Sequence, residues 1–197
     1  MEGILGVPPT LAYALVALLV FAEDALFIGF VIPGETAAVL GGVLASRGQV
    51  QLELMMGVVV LAAVVGDTVG YEVGRRFGTK PLESRMFNRH RGKLDKAQDF
   101  LRRRGGSAVF LGRFIAFFRA VMPALAGVSR MHYPRFFAFN AAGGLVWGAG
   151  FVLLGYLAGN SYEAVAKTVG TDVAAAVLLI AVAALVVWRV RTARRKS

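Results

Sequence analysis

The strongest constraint on the fold is an apolar stretch that contains two arginines, GRFIAFFRAVMPALAG at residues 112–127. Arg113 and Arg119 lie six residues apart among aromatic and small apolar side chains. In a membrane a buried arginine costs roughly 2.5–3.5 kcal/mol or more unless it faces a cavity, a partner or a substrate. Pro123 is predicted to break the helix that carries them. The stretch is therefore predicted to be a broken or re-entrant membrane helix whose guanidinium groups face a site.

The charge distribution supports a membrane-embedded chain. The sequence is 57% hydrophobic yet has a net charge of +10. Eleven of its 22 Lys and Arg lie within residues 75–104, five more lie within 188–197, and none precedes Arg47. This segregation predicts an all-α, polytopic integral membrane protein, and the positive-inside rule places the basic segment and the C-terminus in the cytoplasm.

The same charges bear on partners and cofactors. Basic residues beside a membrane are explained by topology and by anionic lipid headgroups, so no nucleic-acid partner is expected. Cysteine is absent, which excludes disulfides and thiolate metal sites, and no metal or cofactor is predicted. A chain of 197 residues fits one membrane domain. Residues 10–22 are apolar but follow no basic residue, so we expect them to belong to the mature fold rather than to a signal peptide.

The N-terminal part, residues 10–46, is predicted to be a broken or re-entrant segment. Its apolar arms on either side of Pro33 and Gly34 are each shorter than the roughly 20 residues that a crossing needs. A break there would bring Glu23 and Glu35 together. The alternatives are an interfacial position for Glu23 and a carboxylate that stabilises a helix N-terminus for Glu35. Whether the arm near residue 10 spans or dips is left open.

Residues 54–74 are predicted to cross the membrane. Gly66, Gly70, Gly74 and Gly78 recur every four residues, which favours close approach by another helix. Asp67 interrupts this apolar stretch. It is predicted either to form a structural ion pair with an arginine of another segment or to carry protons.

Residues 79–106 form a basic segment, predicted to be cytoplasmic and amphipathic and to lie on the leaflet surface. A solvated loop is the alternative. Within the following crossings Asn140 is predicted to hydrogen-bond to another helix, and Trp147 is a supporting residue. The remaining predicted segments are a second re-entrant segment at 107–128, crossings at 135–159 and 173–190, and a polar outer loop at 160–172.

A weak internal regularity joins the two broken segments. Glu23 lies ten residues before Pro33, and Arg113 lies ten residues before Pro123. Paired interrupted segments in two halves are typical of inverted-repeat transporters with a site near the midplane. The predicted fold is thus a transporter-like helical bundle with two opposed, proline-broken re-entrant hairpins.

The sequence resembles the DedA family of bacterial membrane proteins, which is related to the eukaryotic VTT-domain lipid scramblases. The resemblance rests on FAEDALFIGFVIPGE (21–35), GDTVGYEVGRRFG (66–78) and GRFIAFFRAVMPALAGVSRM (112–131), with Phe136, Asn140 and Trp147. It implies a protein of the bacterial cytoplasmic membrane that returns undecaprenyl phosphate across the bilayer, driven by the proton motive force.

The resemblance also implies site residues. The family's acidic pair matches Glu23 and Glu35, and its arginine pair matches Arg113 and Arg119. Many members have Asp at the position of Glu35, and Asp24 has no counterpart to which a role is assigned. The hypothesis is that the arginines bind the phosphate, while the glutamates exchange protons or pair with the arginines when the site is empty.

Other functions are compatible with the same residues. A less specific phospholipid scramblase, a proton-coupled cation antiporter and a non-transporting scaffold are the alternatives, and a homo-oligomer is left open. An enzyme is not expected. Residues 129–132, SRMH, are similar to a phosphatase element, but the spacing differs and no aspartate follows.

Overall fold

The structure is a computed structural model that describes residues 8–25, 34–78 and 91–169, without the side chains of residues 91, 93 and 162–169. Within these ranges the chain forms seven α-helices and no β-strand, which confirms the predicted all-helical class. The helices are α1 (Pro9–Ala25), α2 (Gly34–Ser46), α3 (Leu52–Phe77), α4 (Arg91–Arg104), α5 (Gly106–Gly112), α6 (Ala116–Val128) and α7 (Tyr133–Val169).

In the part of the chain that the structure describes, two helices are long and apolar enough to cross a membrane. They are α3, with 26 residues, and the 29-residue part Tyr133–Ser161 of α7. Each exceeds the roughly 20 residues that a crossing needs. The crossings predicted at 54–74 and 135–159 fall inside them. The crossing predicted at 173–190 lies outside the described residues.

The end of α7 corrects one prediction. The polar loop expected at 160–172 is wrong as far as Val169, because the helix continues to that residue. The hydroxyl of Ser161 donates a hydrogen bond to the carbonyl of Leu157 at 2.8 Å. A serine that bonds back to its own helix does not interrupt it.

Helices α1 and α2 lie antiparallel. Near the start of α1 the Tyr13 hydroxyl accepts a hydrogen bond at 2.7 Å from the backbone N–H of Gln51, which lies beyond the end of α2, and near the end of α1 the Glu23 carboxylate accepts from the N–H of Gly34. Gly34 is the first residue of α2, and a carboxylate is favourable at a helix N-terminus. Pro33 lies outside the described residues, and a re-entrant path for this pair stays a prediction.

The predicted break at Pro123 is wrong, because Pro123 lies inside α6. The chain is interrupted earlier, between Gly112 and Ala116, where Ile115 is extended with φ −118° and ψ 111°. Proline removes a single helical hydrogen bond, the one to the carbonyl of Arg119, and membrane helices tolerate this loss. Sequence inspection alone overestimated the effect of that residue.

This position also bears on the proposed internal repeat. The alignment places Ala124 opposite Gly34, but Gly34 begins α2 whereas Ala124 lies well inside α6. The aligned residues therefore do not hold equivalent places in their helices. The inverted repeat and the two opposed hairpins stay predictions.

Helix α4 occupies part of the basic segment predicted at 79–106. Ala97 and Leu101 are buried in the protein, and the rings of Phe100 and Phe118 lie 5.7 Å apart between centroids. The apolar side of α4 thus packs against α6 instead of facing a leaflet. The basic residues Arg102 and Arg103 are exposed. Residues 79–90 lie outside the described part.

Glycines bring helix backbones into close contact. A Cβ added to Gly74 of α3 would collide with the backbone of Ala124, and one added to Gly127 of α6 would collide with the carbonyl of Tyr71. The contact between α2 and α7 is similar, since a Cβ on Gly42 would meet the Val152 carbonyl. Small residues at helix interfaces permit such approach, as the glycine spacing on α3 predicted.

We expect Gly74→Ala to lower the free energy of unfolding by about 1–3 kcal/mol, because the new methyl group would force α3 and α6 apart. Gly57→Ala on the same helix is the matched control, since its Cβ would meet nothing within 4 Å. The control should be neutral or stabilising by about 0.5–1 kcal/mol. Denaturant unfolding in detergent measures both values. Equal responses would show that α3 and α6 are not in backbone contact.

Among the described residues, the buried apolar side chains form two separate cores. One is built around Tyr71 and Phe136, whose rings stack 4.6 Å apart, and includes most of α6. The other lies among α1, α2, α3 and α7 and includes Met55 and Trp147. Along α3, Asp67 falls between Ala63 of the second core and Tyr71 of the first. A polar layer therefore lies between the two cores.

Candidate functional site

The polar layer consists of charged side chains that are almost completely buried. Glu23 and Asp24 end α1, Asp67 is in α3, Arg113 follows α5, and Arg119 is in the first half of α6. Each exposes 5% of its surface or less. A buried charge is tolerated only when it is paired and hydrogen-bonded. The pairing of these groups therefore determines what the layer can do.

Arg113 links three helices. Its Nη1 donates to Oδ2 of Asp67 on α3 and, at 2.7 Å, to Oδ1 of Asn140 on α7. Its Nη2 lies 3.3 Å from Oδ2 of Asp24 on α1. The tight turn after α5 places the guanidinium group among these partners, since Phe114 and Ile115 bond to carbonyls three residues earlier.

Arg119 binds a second set of carboxylates. Its Nη2 donates to Glu23 of α1, and its Nη1 donates to Oε1 of Glu35 on α2 at 2.8 Å. Its Nε lies 3.9 Å from Oδ1 of Asp24, so Asp24 lies between the two arginines. The arginine thereby joins α6 to both arms of the N-terminal pair of helices.

Glu35 differs from the other carboxylates in its exposure. Its side chain is 46% exposed, against 3–4% for those of Glu23, Asp24 and Asp67. The Arg119–Glu35 pair is therefore the point at which the buried layer meets the surroundings of the protein. A ligand that reached Arg119 from outside would first meet Glu35.

Trp147 and Asn140 support the two arginines. The Cζ atoms of Arg113 and Arg119 lie 5.6 and 4.9 Å from the centroid of the Trp147 ring, within the range of a cation–π interaction. The Asn140 amide donates to the carbonyl of Val64 at 3.2 Å, so it joins α7 to α3. This is the interhelical hydrogen bond predicted for Asn140.

Two glycines make room for the carboxylates. A Cβ at Gly34 would overlap the carboxylate of Glu23, and a Cβ at Gly66 would lie 2.8 Å from the Cβ of Asp24. Any larger residue at either position would push the acidic pair away from the arginines. The absence of a side chain at Gly34 and Gly66 thus leaves space for the carboxylates of Glu23 and Asp24 beside the arginines.

The formal charges do not balance. Four carboxylates, those of Glu23, Asp24, Glu35 and Asp67, face two guanidinium groups, which leaves −2 when all are ionised. Glu35 is half-exposed, so the three buried carboxylates and two buried arginines alone leave −1, which a proton or a bound cation could offset. Within the described ranges no three carboxylate or histidine side chains are arranged to hold a metal ion.

The structure brings together Glu23, Glu35, Asp67, Arg113 and Arg119, all of which the sequence singled out. Asp67 forms the ion pair that was one of its two predicted roles, and proton carriage stays a prediction. Sequence reasoning missed Asp24, which contacts both arginines. The available signal was its position beside Glu23 inside an apolar stretch, because a second buried carboxylate there would also need a partner.

Comparison with known proteins identifies the family. The VTT domain matches residues 32–157, most of the described helices. An uncharacterised membrane protein of Mycobacterium tuberculosis is 36% identical over 196 residues, which cover 96% of this chain and 88% of that protein. The DedA protein of Escherichia coli K12 is 35% identical over 153 residues, 75% of this chain and 69% of its own length.

The similarity covers part of some relatives. An uncharacterised membrane protein of Mycobacterium leprae is 35% identical over 145 residues, 72% of this chain but 64% of that protein. No solved structure matches the chain significantly. The names of the two mycobacterial relatives describe membrane proteins, and none of the three names states a reaction. The matching domain, the relatives and the apolar helices together show that this chain is a membrane protein of the DedA family.

Proposed function

We propose that this protein transports a phosphate-bearing lipid, undecaprenyl phosphate, across the bacterial cytoplasmic membrane and couples the movement to protons. The observation that carries the proposal is the Arg119–Glu35 pair. It joins a buried guanidinium group to a half-exposed carboxylate at 2.8 Å. An anion that replaces this carboxylate would contact Arg119 from the side of α2.

The chemistry of Arg119 suits a phosphate. A guanidinium group is permanently charged and offers paired N–H donors that match phosphate oxygens. Its donors are taken up by Glu23 and Glu35, so a phosphate must compete with them. Protonation of either glutamate removes that competition. Proton uptake would thus accompany phosphate entry, which is the proposed origin of the coupling.

An apolar cavity supports a lipid rather than a free phosphate. A cavity of about 220 Å³ lies between α1 and α2 and is lined mainly by apolar side chains such as Leu15, Leu19 and Leu40. Leu19 is one helical turn from Glu23, and Ala37, which also lines the cavity, is two residues from Glu35. A hydrocarbon chain in this cavity would extend away from a headgroup held at Arg119.

Reconstituted vesicles test this proposal with a matched pair of variants. Leu15 and Leu11 are one turn apart on α1 and each 47% exposed, but only Leu15 lines the cavity between α1 and α2. We expect Leu15→Trp to slow the transport of undecaprenyl phosphate several-fold by filling the cavity, while Leu11→Trp retains the wild-type rate. Wild-type protein that moves no phosphate lipid, with or without a pH gradient, would refute the proposal.

A proton-coupled cation antiporter is the second candidate, and one observation favours it. The formal charge of −2 left by four carboxylates and two arginines could be offset by a bound cation. The same vesicles distinguish the two functions. Proton release that depends on Na⁺ or K⁺ and not on lipid phosphate indicates antiport, whereas equal movement of neutral and phosphate lipids indicates an unselective scramblase.

The orientation is part of the proposal. With the basic segments in the cytoplasm, the exposed Arg102 and Arg103 of α4 would lie near anionic lipid headgroups. The exposed arginines rather than the apolar side of α4 would make this contact, because Ala97 and Leu101 are packed within the protein.

A further inference from the structure

A small cavity lies beside the two arginines, and Glu35 is not among the residues that line it. Its volume is about 10 Å³, and it is lined by Asp67, Val109, Arg113, Arg119, Met122 and Pro123. A single water molecule needs roughly 10–15 Å³. The cavity therefore matches one water and excludes any larger ligand.

Two buried polar atoms of the lining residues have no partner. Among residues 8–25, 34–78 and 91–169, nothing donates a hydrogen bond to Oδ1 of Asp67 and nothing accepts one from Nε of Arg113. Both residues are 97% buried or more, since each exposes 3% of its surface. An unsatisfied buried polar group costs about 1–3 kcal/mol, so a ligand that forms hydrogen bonds with both atoms would be favourable.

Pro123 leaves a third polar group, the carbonyl of Arg119, without its usual hydrogen-bond donor. Proline has no N–H, so the carbonyl of Arg119 cannot receive its usual helical hydrogen bond from residue 123. Arg119 and Pro123 both line the cavity. An N–H donor, a carboxylate oxygen and a carbonyl oxygen are thus associated with the same space.

We propose that this cavity binds one ordered water molecule. The water accepts from the Nε–H of Arg113 and donates its two hydrogens to Oδ1 of Asp67 and to the carbonyl of Arg119. Three hydrogen bonds are typical of a buried water. A metal cation cannot accept from an N–H and would face two guanidinium groups, while an anion would be repelled by Asp67.

The water gives Asp67 a route for proton exchange that its ion pair with Arg113 does not provide. Oδ2 of Asp67 is bound to Arg113, and Oδ1 contacts the water. Asp67 can therefore exchange a proton with the water while its pair with Arg113 stays intact. The site shares Arg119 with the proposed phosphate site but does not include Glu35, and its existence does not depend on which lipid or ion the protein carries.

Radiolytic footprinting of the purified protein tests the water site. X-ray pulses generate hydroxyl radicals from bound water, which oxidise neighbouring methionines. Met122 lines the cavity and is 1% exposed, and Met55 is 0% exposed in the other core. We expect Met122 to be oxidised several-fold faster than Met55. Equal, slow oxidation of the two methionines would overturn the proposal.

A filled cavity provides the control. Val109→Ile adds a methyl group to the cavity wall and should reduce Met122 oxidation to the rate of Met55. Val59→Ile, in the core that contains Met55, should leave Met122 oxidation unchanged. If Val109→Ile does not fold, Val109→Leu replaces it, because its larger side chain also takes up space in the cavity and should lower the oxidation rate. Unchanged Met122 oxidation in the folded variant would show that the radicals come from elsewhere.

Discussion

Replacing Arg113 with alanine is expected to lower the free energy of unfolding by about 3–5 kcal/mol, the usual cost of removing one partner from a buried ion pair. The loss is large because Asp67 would remain buried without a countercharge, Asp24 would keep only its 3.9 Å contact with Arg119, and Oδ1 of Asn140 would lose its donor. Denaturant unfolding of the purified protein in detergent measures the change.

The matched control for Arg113 is an arginine on the surface. Arg76 pairs with Glu72 one turn away at 3.4 Å, and its side chain is 75% exposed. Arg76→Ala should change stability by at most about 0.5 kcal/mol. Adding Asp67→Asn to Arg113→Ala should restore part of the lost stability, because it removes a buried charge without a partner. Equal effects of Arg113→Ala and Arg76→Ala would mean that the buried layer is not held by ion pairs.

Replacing Arg119 with lysine is expected to slow phosphate-lipid transport about tenfold or more, equivalent to about 1.4 kcal/mol. Lysine keeps the positive charge but lacks the paired N–H donors of the guanidinium group. Arg119 uses two different nitrogens to reach Glu35 and Glu23, and a single ammonium group cannot reproduce that geometry. The initial rate in vesicles, at equal amounts of folded protein, is the measurement.

Lysine is preferred to alanine for this test because it separates transport from folding. Arg119→Ala would leave the buried Glu23 without its countercharge, so a loss of transport could reflect unfolding. Arg76→Lys serves as the control and should transport at the wild-type rate. A wild-type rate for Arg119→Lys would exclude bidentate phosphate binding at this residue.

Much of the site could be predicted because charges in an apolar stretch leave few options. Arg113 and Arg119 could be buried only with partners, and the acidic residues in the other apolar stretches, Glu23 and Asp67, were the candidates. The same reasoning applies to Asp24, to which the family resemblance assigns no role. For Asp24, the need of a buried carboxylate for a charged partner predicts its contacts better than the family resemblance does.

Other features depended on packing that the sequence does not display. Pro123 reads as a helix breaker, yet the surrounding core keeps α6 continuous through it. Asn160 and Ser161 read as a loop, yet α7 runs on to Val169. The cavity beside Asp67 arises from how Val109, Met122 and Pro123 fit together, and no spacing rule reports a space of one water.

The order of charges along the chain has a consequence for biosynthesis. Every carboxylate of the buried layer precedes both arginines, and Arg113 follows Asp67 by 46 residues. The ribosome therefore makes these acidic groups before either arginine that pairs with them. The layer can be neutralised by its own ion pairs only after the arginine-bearing stretch has been synthesised. A product that ends before Arg113 would leave these carboxylates without their guanidinium partners.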